Sequence, residues 1–215
     1  MSGQTRRRER TRSALIRAAQ GFLADGRTAV SIQEITESAG VGFGSFHNHF
    51  DGKDALFTAA LEETLIAYGD LRDALVADFD DPAEAFCASF RLTGRLRAQN
   101  PELMRLLLHS GTAILTVEHG LRPRALADLA RARDVGRFDF IDLEVAFMAS
   151  GCALLGMLQL IETEPDRDIA ATADAFAERT LRMLGLTAEE AAELMSRPLP
   201  ELPSLAGFVQ NRLNR

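Results

Sequence analysis

The 215-residue chain has little cysteine, a single lysine and none of the compact signatures of catalysis, and each scarcity closes a class of function. Its two cysteines, Cys87 and Cys152, lie far apart, with no CxxC and no histidine at ligand spacing, so neither a disulfide framework nor a zinc site is implied. Both read as small core residues in a reducing cytoplasm. The amino end is rich in arginine but carries no apolar run, which argues against a secretory signal. No HExxH helix, nucleophile-elbow serine or prominent histidine–carboxylate pair is present, so no catalytic residue, metal ligand or cofactor is assigned and an enzyme is not expected. One stretch, Val145 to Ile161, runs 17 residues without a charge, the short edge of a membrane span. It holds Ser150, Gln159 and two glycines and is flanked by acids at both ends without a basic cluster. We read it as a helix covered by protein, with no membrane partner.

What is present is helix after helix and little that reads as strand. Leu15, Ala19, Phe22 and Leu23 mark an amphipathic first helix ending at Asp25-Gly26. Phe57, Leu61, Leu65, Tyr68, Leu71, Leu75 and Phe79 step by three and four along a long helix. Asp81-Pro82-Ala83-Glu84 and Asn100-Pro101-Glu102 are helix starts, each with a cap, a proline at the first position and an acid after it. The second should carry Leu103, Leu107, Ser110 and Ile114 on one face. Further helices are expected over about 121–134, 140–162 and 166–184, with a short one capped by Thr187. Arg197-Pro198-Leu199-Pro200 with Pro203 reads as an extended tail.

Residues 31–53, SIQEITESAGVGFGSFHNHFDGK, carry the function. Ser31 is an N-cap and Gly40 a helix C-terminus, where glycine accepts the left-handed backbone conformation. Val41 turns the corner into a second short helix, about Gly42 to His49. There Phe46 and Phe50 share one face, which leaves Phe43, Ser45, His47 and Asn48 nearer the other. An apolar side that anchors and a polar edge that is presented are what a recognition helix needs in the major groove. A glycine-rich phosphate loop would need a preceding strand and a Gly-Lys-Ser/Thr, and neither is there. Charge agrees with DNA. The chain is net −7, yet residues 1–60 are net +2, with five arginines between Arg6 and Arg12 that can follow a phosphate backbone as a flexible arm.

These residues resemble the DNA-binding region of the tetracycline-repressor (TetR) family: a helix, a glycine-valine turn, a recognition helix closing on aromatic-x-His-Phe, then a lysine. Here that is Phe46-His47-Asn48-His49-Phe50 followed by Asp51-Gly52-Lys53. The family usually has tyrosine at the His47 position and a basic or polar residue at Phe43, which bears on operator sequence, although imidazole still donates to a phosphate oxygen. The resemblance implies that Ser31, Gln33, Gly42, Phe43, Ser45, His47, Asn48 and Lys53 lie at or near double-stranded DNA, with Arg6, Arg7, Arg8 and Arg12 close by. It implies an all-α fold: a three-helix helix-turn-helix head over 1–52 with a basic arm over 1–12, a larger helical ligand-binding and dimerisation body over 53–197, and the tail over 198–215.

The resemblance further implies a homodimer paired through the two penultimate long helices, an inverted-repeat operator, and a small-molecule effector. A stripe of small residues, Ala146, Ala149, Ser150, Ala153 and Gly156, would let a partner helix approach, with Phe176 and Thr180 on the second helix. Phe86, Phe90, Met104, Leu107, Phe147, Met148 and Leu155 are candidates for an apolar pocket, with Thr93, His109, Thr112 or Gln159 orienting the ligand. The isolated His109 and His119 do not make a metal site. The competing reading is a dimeric DNA-binding protein with no effector, whose body is a solid core.

Overall fold

The computed structural model describes residues 3–213, and among these all regular structure is helical. The head comprises α1 (Gly3–Ala24), α2 (Ile32–Ser38) and a recognition helix of 310 type (Phe43–Asn48). The body follows as α3 (Lys53–Val76), α4 (Pro82–Gly94), the short α5 (Leu96–Gln99), α6 (Pro101–Ser110), the short α7 (Ala113–Thr116), α8 (Leu121–Asp134), α9 (Leu143–Thr163), α10 (Ile169–Met183), α11 (Ala188–Ser196) and α12 (Leu205–Leu213).

Local chemistry sets the head's boundaries. Ser31 and Glu34 form a reciprocal capping box: the Glu34 amide donates to the Ser31 hydroxyl at 3.1 Å, and the Glu34 carboxylate accepts the Ser31 amide at 2.8 Å. The Ser31 amide, and the Ser31 hydroxyl at 2.9 Å, both donate to that carboxylate and hold it below its ordinary range. At the other end Gly40 has φ +65°, and the Val41 amide returns to the Thr36 carbonyl, closing α2 as a left-handed glycine allows. Leu15, Ile16, Ala19, Ile35, Phe46 and Leu56 meet beneath the motif.

In the body, α4 and α10 pack closely, and a shared ion cluster locks them. Arg91 and Arg95 both donate to Asp174, at 2.9 and 2.8 Å. The helix expected to run from Pro101 through Ile114 is instead broken at Gly111, whose φ of +55° ends α6 before α7 begins. The expected extended tail also changes. Residues 198–204 are non-helical, but Leu205–Leu213 is α12, its start stabilised by the Ser204 hydroxyl accepting the Gly207 amide. Leu205 and Phe208 give that helix an apolar side against the core, a signal the preceding prolines obscured. Residues 1–2 of the arm and 214–215 of the tail lie outside the described residues.

One helix belongs to both halves. α3 begins with Lys53 beside α2, packs along α1, and continues to contact α4 and α8. At 1.5 Å per residue its 24 residues extend about 36 Å.

Candidate functional site

The recognition helix is held from beneath and presented above. Phe46 is 0% exposed and Phe50 is buried, their rings 6.1 Å apart, whereas Phe43 is 56% exposed and His47 and Asn48 are exposed with it. Ser45 is half-buried and Gly42 exposed. The polar edge expected from the spacing is therefore on the surface. Ser31 spends its hydroxyl on the capping box, and Gln33 is exposed with its amide on the Glu37 carboxylate at 2.9 Å. The Lys53 ammonium donates to the Val30 carbonyl at 2.6 Å, which pins the lysine at the entrance to α2 and leaves two further N–H donors. Burial, then the nearby Arg8 and Arg12 charges, lowers the His49 pKa from its usual value.

The basic arm is not a flexible segment over its described part. Residues 3–12 are the first turns of α1, since Gln-Thr-Arg-Arg-Arg-Glu-Arg holds no helix breaker and joins the amphipathic run without interruption. Arg6 and Arg7 are exposed there, and Arg8 reaches the Asn48 carbonyl at 3.3 Å. Arg12 pairs with Glu63 on α3 at 2.5 Å and lies 5.6 Å from the Phe50 ring centroid.

Five body helices, α3, α4, α6, α8 and α9, together with α7, line a partly open cavity of about 110 Å³. Of the pocket residues expected from sequence, Phe86, Phe90, Thr93, Leu107 and Phe147 line it. The others do not. Met104 is buried in core packing off the cavity, and Thr112 is exposed just after Gly111 breaks the helix. His109, two residues past Leu107, is rotated about 200° round α6 and faces the head, its ring nitrogen 3.0 Å from the Ala24 carbonyl. Met148, Leu155 and Gln159 miss because the cavity stripe on α9 is Phe147, Ser150, Gly151 and Leu154. Sequence reading missed Tyr68, Arg72, Arg122 and Asp128, which come from α3 and α8. Their helical periodicity marks them as interior or amphipathic, but only long-range packing brings them to one chamber.

Tyr68 and Thr93 are paired within the cavity wall, oxygen to oxygen at 2.6 Å. Because the Thr93 hydroxyl also donates to the Ser89 carbonyl at 2.8 Å, the proton between them belongs to Tyr68. Burial pushes the Tyr68 phenol up to about 12, so it stays neutral. Arg72 is paired with Asp128 and Asp73, each at 2.7 Å. Burial raises the Asp128 carboxyl, with Arg72 pulling it back. Arg122 grips Glu144 at 2.9 Å and lies 5.2 Å from the Phe147 ring centroid.

The stripe of small residues on α9 divides. Ala146 and Ser150 are buried by their own protomer, as is Thr180 on α10, so these three are not surface groups. Ala149, Ala153 and Phe176 are half-buried, and Gly156 is exposed. The outward line is Val145 (64% exposed), Ala149, Cys152, Gly156 and Gln159, at spacings of four and three. Cys152 is thus a surface residue rather than core, and only Cys87 is buried. α9 is long and apolar enough to cross a membrane by composition, with its inner face packed on α4, α6, α8 and α10.

A surface recognition helix on a three-helix head, joined by one continuous rod to a hollow helical body, defines a DNA-binding regulator of the helix-turn-helix class. The family model described as bacterial regulatory proteins, tetR family, matches residues 15–60, and that of the tetracyclin repressor-like C-terminal domain matches residues 81–197. The solved structure of RolR in complex with resorcinol is 33% identical, with a TM-score of 0.66, covering 92% of this chain and 99% of that one. SmeT, the repressor of the Stenotrophomonas maltophilia efflux pump SmeDEF, shares the fold at 21% identity and a TM-score of 0.63, covering 88% and 97% of the two chains. FadR from Bacillus subtilis in complex with stearoyl-CoA shares it at 14% identity and a TM-score of 0.64, covering 79% and 97%. No curated relative matches the sequence. The chain belongs to the TetR family of transcription regulators.

Proposed function

We propose that the protein is a cytoplasmic repressor that binds an inverted-repeat operator as a homodimer and leaves it when a small effector occupies the body cavity. The observation that carries this reading is α3. The same helix holds Lys53 beside the recognition motif and sets Tyr68 and Arg72 in the cavity wall. A ligand that favours one position of that rod shifts the heads, and it weakens DNA affinity only to the extent that it prefers one state over the other. α6 supports the coupling, since Leu107 lines the cavity and His109 meets the head at Ala24. The hollow body favours sensing over the rival in which the body is a solid dimerisation module.

Asn48, Ser45 and Phe43 are assigned to base edges, and Lys53, His47, Arg6, Arg7 and Arg8 to phosphates, with Gln33 and Gly42 at the margin. The outward line of α9, with the exposed side of α10, is assigned to the partner protomer. Two-fold pairing sets two recognition helices about 34 Å apart, one turn of the duplex. The test is fluorescence anisotropy on an operator obtained by selecting bound genomic fragments, with resorcinol as the first effector probe because RolR binds it. An operator affinity that stays constant through ligand saturation removes the switch and leaves DNA binding standing.

A further inference from the structure

Every buried threonine hydroxyl on α3, α4 and α10 donates back to a carbonyl four residues earlier: Thr64 to Ala60, Thr93 to Ser89, Thr172 to Asp168 and Thr180 to Phe176. Ser150 does not. It is 6% exposed, and its hydroxyl has no partner. Among the described residues one other buried side-chain group is in that position, Ser110, which does not line the cavity. A buried hydroxyl without a partner is costly unless something else completes it.

The rest of the wall says what that something is. Volume comes first. An apolar cavity of about 150 Å³ accepts benzene, and a pocket of about 110 Å³ is of that single-ring order. Charge comes second. Arg72 faces two carboxylates, Asp128 and Asp73, and Arg122 faces Glu144, so the positive charge at the wall is already balanced and an anionic ligand would add uncompensated negative charge. Hydrogen-bond polarity comes third. Tyr68 has given its proton to Thr93 and can only accept, Asp128 accepts, and Ser150 accepts as well as donates. A ligand hydroxyl that donates therefore finds acceptors at Tyr68, Asp128 and Ser150.

We infer that the cavity takes an uncharged, single-ring compound bearing hydroxyl groups, and that Ser150 is the residue that recognises a hydroxyl. This rests on the reading of the cavity as the effector site. It deepens that reading by naming the ligand class and the recognising side chain.

Calorimetry on the full chain with phenol, resorcinol, toluene and benzoate, for the parent and for Ser150→Ala, tests it. The hydroxylated rings bind the parent more tightly than toluene does, and benzoate does not bind. Ser150→Ala weakens phenol and resorcinol roughly tenfold, the worth of one buried hydrogen bond, and changes toluene by less than twofold. Its melting temperature is unchanged or higher, because the substitution removes an unpaired polar group; Ser150→Cys serves as a second variant of nearly the same shape. Phenol binding no tighter than toluene, or equal losses for both in Ser150→Ala, overturns the inference. The two readings fail separately. Hydroxyarenes that bind through Ser150 yet leave operator affinity unchanged sink the release mechanism alone. Operator release by benzoate or an acyl chain, with no phenol binding, sinks the ligand class alone.

Discussion

Head and body are built from the same kind of helix but differ in where their polar groups go. In the head, short-range bonds within a few residues fix both ends of α2, and the side chains that matter point outward: the Ser31–Glu34 box and Gly40 shape α2, and Phe43, His47 and Asn48 are left on the surface. In the body, the functional surface faces inward and is assembled from residues as distant as Tyr68 and Leu154. A reading surface can be specified locally. A chamber cannot, because each wall comes from a different helix.

Breaking each half should expose that difference. The largest effect is expected from Phe46→Ala, which empties the centre of the head and costs about 3–5 kcal/mol by analogy with buried aromatic truncations. Operator binding should vanish in anisotropy, while resorcinol affinity measured by calorimetry persists if the body holds independently of the head. The counterpart in the body is Gly94→Ala. A Cβ there would sit 2.5 Å from the Ala173 Cβ, so forcing α4 from α10 should cost about 1–3 kcal/mol in thermal unfolding and weaken ligand before DNA.

Smaller effects sharpen the head itself. Lys53→Ala should weaken operator and random DNA alike, by roughly tenfold, and lower the salt slope by about one, whereas Asn48→Ala should lose more on operator. Equal losses for both variants on both DNAs would contradict the division between phosphate and base contacts. Phe43 presents an exposed ring at the start of the recognition helix, suited to a thymine methyl. Phe43→Ala should cost about 1 kcal/mol on the operator, and replacing the contacted thymine by deoxyuridine should abolish that difference.

The smallest effect concerns acid. The folded-state pKa of His49 lies below its unfolded value of 6.5, so its neutral form is favoured in the fold. The stability it contributes is complete above pH 6.5 and is lost as pH falls through the depressed folded value. Free protein should therefore lose hydrogen-exchange protection in the head as pH drops from 7 toward 5, and His49→Gln should flatten that profile.

Legibility follows the same division. The motif, its caps and its exposed edge were readable because spacing alone places Phe46 and Phe50 opposite His47 and Asn48. Four apolar pocket residues and the polar Thr93 were named from the sequence, but Met148 and Leu155 were misplaced by about one residue of helix rotation from the Phe147–Leu154 line. Composition marks a helix as coverable without saying which angle faces which neighbour. The same ambiguity moved Ala146 and Ser150 from a supposed surface to the interior. Ala149 and Gly156 of the expected stripe do lie on the outward line, whereas Val145 and Cys152 beside them were hidden by the apolar character of the whole helix.

The unbroken run of α3 also sets a phase relation. Each residue inserted between Lys53 and Tyr68 would turn the head about 100° relative to the chamber and advance it about 1.5 Å, so on the proposed inverted-repeat operator a single insertion would misaim both heads. Adding about seven residues, close to two full turns, would restore the aim but change the reach. Hybrid regulators made by grafting this head onto another hollow body should therefore work or fail according to the count of residues at the join.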